Sequence, residues 1–83
     1  MTIQTKSIKD VYTRKVGGET YEYEAQYTVG RQATWSARVY RNGHLKGNPS
    51  GVLSENYLTG DILRQSIITL IECIIEAALG IDD

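Results

Sequence analysis

The chain predicts a two-layer α+β domain: a four-stranded antiparallel meander followed by one C-terminal helix packed on the apolar face of the sheet. Three observations carry that prediction. Residues 21–29 alternate apolar and polar without a break, as a strand with one buried and one wet face does. Residues 58–81 instead space their apolar side chains three and four apart, which is a helical period. Turn dipeptides, Gly17-Gly18 and Asn42-Gly43, separate the β-rich segments at hairpin spacing.

Residues 1–10 are polar apart from Ile3 and Ile8 beyond the first residue, and read as a frayed arm or a short edge strand. The sheet is expected over 11–54. Its first strand, 11–16, ends at Gly17-Gly18; a two-residue turn there sets Val16 opposite Glu19 and Tyr12 opposite Tyr23. The second strand turns Tyr21, Tyr23, Ala25, Tyr27 and Val29 to one face and Glu22, Glu24, Gln26 and Thr28 to the other. After Gly30-Arg31-Gln32 the third strand repeats the period, with Trp35, Ala37 and Val39 inward and Ser36, Arg38 and Tyr40 outward. A three-residue loop with Gly43 left-handed then keeps the apolar residues on one side, setting Val39 opposite Leu45 and Ala37 opposite Gly47. The fourth strand, 44–54, is interrupted by Gly47, Pro49 and Gly51. Proline cannot donate to a ladder, so this is an edge strand, or two short pieces with a bulge.

The helix is expected over 59–79. Thr59 stands at the N-cap position, Asp61 adds a carboxylate to the first turn, and Leu58 is placed to staple against Leu63. Gly80 stands where a left-handed residue ends a helix, with Ile81 placed to fold back on Ile75. Leu63, Ile67, Leu70, Ile71, Ile74 and Ala78 form the core-facing stripe, opposite Gln65, Thr69, Glu72 and Glu76. Ile68, Ile75 and Leu79 add a second ridge, making the apolar surface wider than one sheet face requires. Either the sheet or the N-terminal segment curls over that ridge, or a second copy of the chain, as a homodimer, or another protein covers it. On the second reading Ile68, Ile75 and Leu79 form an interface with Arg64 at its rim.

The 83 residues make one small domain, 1–83. A chain of this size buries only roughly 60–65% of its unfolded surface, and the usual aids are disulfides, metals or oligomerisation. Cys73 is the only cysteine, which excludes an internal disulfide and reads as a quiet thiol. With His44 it supplies too few ligands for zinc. Oligomerisation is the remaining aid. A net charge of −1 gives no basic footprint for nucleic acid at the level of the whole chain. No apolar leader opens the chain, and no run approaches the roughly 18 residues of a membrane span. A cytoplasmic protein is expected.

No motif of an enzyme is present: the glycines form neither a phosphate loop nor a dinucleotide fingerprint, and His44 has no evident nucleophile beside it. No cofactor and no metal are expected. The leading expectation is non-catalytic, namely self-association or protein binding through Arg64, Ile68, Ile75 and Leu79. The alternative is nucleic-acid binding by the outward face of the 35–47 hairpin. Arg38, Tyr40, Arg41, His44 and Lys46 combine cations with an aromatic there, the composition of phosphate contact and base stacking. Glu22 and Glu24 on the neighbouring strand offset that charge.

The strand-strand-strand-helix order resembles the second half of a double-stranded-RNA-binding domain, and also the partial ribonuclease-H-like fold of HicB-type antitoxins. The first family opens with a helix and carries lysines at the start of its last helix, where Thr59-Gly60-Asp61 stands here with only Arg64 nearby. The second has a Pro-Gly-Cys stretch before its helix that this chain lacks. Both are likenesses of topology, which carries no function by itself.

Overall fold

Strand β2, Thr20–Thr28, buries Tyr21, Tyr23, Ala25 and Tyr27 and exposes Glu22, Glu24 and Gln26, as its alternation predicts. A computed structural model describes residues 5–81 and builds a sheet around this strand. β1, Thr5–Thr13, and β3, Ala33–Arg41, flank it antiparallel. Thr5 to Asp10 therefore belong to an edge strand, and residues 1–4 lie outside the described ones. Two short strands share the far side of β3: β4, His44–Gly47, meets its C-terminal end and β5, Ser50–Leu53, its N-terminal end. Pro49 separates them, and its carbonyl still accepts from the Ala37 N–H at 2.9 Å. Helix α1, Gly60–Ala77, the one helix among the described residues, closes the core over the face that carries the alternate tyrosines. The domain is a two-layer α+β fold whose fourth strand is split in two.

Both hairpins differ from the expected register, each for an identifiable reason. β1 and β2 part at Thr13 and Thr20, and Tyr12 lies opposite Tyr21 instead of Tyr23. A bond from the Arg14 N–H to the Glu19 carbonyl, 2.8 Å, closes a four-residue loop, 15–18. Glu76 organises that loop from outside. Its carboxylate accepts from the N–H groups of Lys15 (2.8 Å) and Val16 (3.3 Å) and from the Tyr12 hydroxyl (2.7 Å). A two-residue turn would have spent the Val16 amide in the ladder.

At the next turn Asn42 and Gly43 both take positive φ, 53° and 78°, so the loop has two residues in the geometry that matches strand twist. Arg41 then faces His44 and Tyr40 faces Leu45, which puts Leu45 on the outer face, exposed. A bulge restores the burial pattern by setting Val39 opposite Gly47. Gly47 is needed there, because a Cβ would stand 2.6 Å from the Gly80 carbonyl and 2.7 Å from Ile81 Cδ1.

The helix is rolled relative to its predicted stripe. Leu63, Ile67, Ile68, Ile71 and Ile75 are buried, whereas Leu70 is exposed and Ile74 only half-buried. Glu72 and Glu76 are not on the wet side. The Tyr23 hydroxyl donates to Glu72 at 3.0 Å, as Tyr12 does to Glu76, and these bonds draw that flank of the helix onto β1 and β2. Ile68 and Ile75 share the flank and go down with it. The expected ridge of Ile68, Ile75 and Leu79 is thus no surface: Ile75 is 0% exposed, and Leu79 lies beyond the helix end. Thr59 occupies the N-cap without a side-chain bond. At the other end Ala78, not Gly80, is the C-cap, left-handed at φ 54°. Gly80 adds a second positive φ, 70°, and the two reversals bring Ile81 back into the core.

Glu76 gives the fold an acid-sensitive tie. The Lys15 amide, then the Tyr12 hydroxyl, hold its carboxyl below the usual value, and the same contact pushes Tyr12 up to about 12. A lowered folded-state pKa stabilises fully above the unfolded value and is lost as pH falls through the folded one. Glu76→Gln is expected to be less stable than the parent near neutrality and to lose less on acidification. Urea titrations between about pH 2 and pH 6 should show the two midpoints converging towards the acid end.

Candidate protein-interaction surfaces

The loop between β5 and α1 is built on Asn56, the one buried residue of polar type among those described. Its Nδ2 donates to the carbonyls of Gly30 and Leu58, each at 3.0 Å, and its Oδ1 accepts from the Leu58 N–H at 3.1 Å. Its own N–H donates to the Arg31 carbonyl. An amide bonded to backbone on every side fixes a loop, since any rearrangement strands several polar groups at once. Glu55, just before it, takes a left-handed φ of 53° and turns the chain towards the helix. The apolar residues that follow are left outside: Tyr57 is 75% exposed, with the Arg31 guanidinium carbon 5.9 Å from its ring centroid.

Val52, Tyr57, Leu58, Ile62 and Leu70 line a shallow groove of about 1000 Å³ between the edge strand β5 and α1. Ile62 is 66% and Val52 53% exposed. The helix roll that buries Ile68 and Ile75 is what lifts Leu70 into this groove. No lysine or arginine lines it, and its charged residues are Glu55 and Asp61. Groups placed this way offer apolar contact beside two carboxylates, Glu55 and Asp61, with the Arg31 guanidinium held against the Tyr57 ring. The signal for this groove in the sequence is an apolar pair, Tyr57-Leu58, set in a turn, followed by an isoleucine, Ile62, outside both predicted ridges.

Of the residues expected at a protein interface, Ile68 and Ile75 belong to the core, and Arg64 and Leu79 are exposed without forming one patch with them. The residues of the nucleic-acid alternative separate as well. Arg38 and Tyr40 point to the outer face of the sheet, opposite Glu24 and Glu22. Arg41 is the next residue along and faces the other way, its guanidinium carbon 5.9 Å from the centroid of the buried Tyr21 ring. His44 is paired with Arg41, and Lys46 falls in the bulge. The five therefore do not converge on one face. Glu24 is itself engaged by Lys9 at 3.7 Å, which leaves the outer face mixed in charge. Cys73 is free and exposed on the helix.

No helix is long and apolar enough to cross a membrane among the described residues. No protein-family model, no curated protein and no solved structure matches the chain.

Proposed function

We propose that the domain is a non-catalytic protein-binding module whose groove between β5 and α1 takes an apolar segment of another protein, flanked by lysine or arginine. The observation that carries this reading is the Asn56 scaffold, which holds Tyr57 and Leu58 outward beside Ile62 and Leu70. Contiguous exposed apolar surface rimmed by polar groups is the usual form of a contact site. The rim selects the partner. A second copy seated in the same groove would bring Glu55 and Asp61 against residues of the same sign, whereas basic flanks would meet them with opposite charge.

The test is selection of peptides on the immobilised domain, with counter-selection on Ile62→Asp/Leu70→Asp, two changes at exposed positions. The expected winners carry apolar anchors at helical or alternate spacing with basic flanks. They should lose about a hundredfold or more in affinity on the variant, as removal of two central anchors does. Winners that bind parent and variant equally would overturn the groove as the site.

A further inference from the structure

The second open surface is the free edge of β1, and its backbone geometry is determined. The Arg14–Glu19 bond makes that position a hydrogen-bonded pair. In an antiparallel ladder such pairs alternate with non-bonded ones, so Lys6, Ile8, Asp10 and Tyr12 turn their N–H and C=O groups towards β2. Thr5, Ser7, Lys9, Val11 and Thr13 turn theirs to the open side. The Val11 N–H confirms the sense, since it is free of β2 and bonds instead to the Asp10 carboxylate, 2.8 Å. Among the described residues no strand pairs with this edge.

We propose that β1 pairs antiparallel with β1 of a second copy, with Ile8 at the two-fold axis. Outward groups must meet outward groups, which restricts the axis to whole residues. Centring on Lys9 sets that lysine against itself, and centring on Asp10 does the same to a carboxylate; like charges directly opposite are unfavourable. Within the described strand, Thr5–Thr13, centring on Ser7 or Val11 leaves five residues in register and joins no opposite charges. Centring on Ile8 aligns 5–11 with 5–11 and places Lys6 opposite Asp10 of the second copy, twice by symmetry.

These two residues sit at non-hydrogen-bonded positions, where facing side chains approach closely. Ser7 and Lys9 supply the ladder bonds. Both Lys6 and Asp10 are exposed, and the second carboxylate oxygen of Asp10 is not used by Val11. An edge lysine ordinarily discourages such pairing, but Lys9 is turned onto Glu24 on its own sheet. The product is one continuous sheet with both helices on the same side. β5 lies at the opposite edge, so the two grooves stay open at the far ends and the inference stands independently of what they bind.

Sedimentation of the full chain over a range of concentrations tests it, with Lys6→Asp, Asp10→Lys and the double exchange. The parent is expected to dimerise, each single exchange to weaken the dimer about ten- to thirtyfold, and the double exchange to restore it. Ser7→Pro removes an outward N–H without touching the β1–β2 ladder, and is expected to give a folded monomer by circular dichroism. A parent that stays monomeric, a dimer indifferent to the single exchanges or to Ser7→Pro, or a double exchange that fails to restore it would overturn the pairing.

Discussion

Replacing Ile75 with alanine is expected to destabilise the domain by about 2–5 kcal/mol, the range for a buried isoleucine or leucine truncated in a core that relaxes only in part. At about 0.05–0.15 kcal/mol per residue, a domain this small has a total stability of roughly 4–12 kcal/mol, so the loss is a large fraction of it. The reason is geometric. Ile75 is 0% exposed and lies between helix and sheet on the flank that Glu72 and Glu76 draw down. Leu79→Ala, four residues on, is the contrast: Leu79 is exposed and outside the helix, and its truncation should stay within about 0.5 kcal/mol. Urea midpoints of the two variants read the roll of the helix directly. Equal losses would mean that the helix is turned as its hydropathy alone suggests.

Asn56→Ala should have the next largest effect. It removes three side-chain bonds, at about 1 kcal/mol each, for a loss of about 2–3 kcal/mol. The core residues are untouched, so the variant should remain folded while the 54–59 loop no longer holds Tyr57 and Leu58 in place. Affinity for a groove-selected peptide should fall although Asn56 presents a buried side chain. Loss of stability with unchanged affinity would show that the loop's course does not matter to the groove.

The difference between what was legible and what was not follows from the range of the forces involved. β2 was legible because strict alternation over nine residues is a local property, and its burial follows it residue by residue. The existence of α1 was legible for the same reason. Its roll was not. Hydropathy places Glu72 and Glu76 on the wet side, and only the tyrosine hydroxyls of strands about fifty and sixty residues earlier bring them to the sheet. The register of the first hairpin depends on the same distant Glu76. That of the second depends on a bulge that lets Gly47 meet Ile81. The reading of exposed residues on the helix inherits these errors: with the roll misjudged, Ile68 and Ile75 look available and Leu70 does not. The nucleic-acid candidates Arg38 and Arg41 do not share a face for a local reason, since an odd separation along β3 sends them to opposite sides.

The central claim, that the β5–α1 groove is the contact site, is tested most directly by amide chemical-shift mapping. The labelled domain would be titrated with an amphipathic peptide carrying leucine anchors and lysine flanks. The predicted shifts cluster at Val52, Tyr57, Leu58, Ile62 and Leu70, and the affinity weakens with added salt as the basic flanks lose Glu55 and Asp61. Shifts confined to the outer sheet face around Arg38 and Tyr40, or a peptide with acidic flanks binding as well as the basic one, would contradict it.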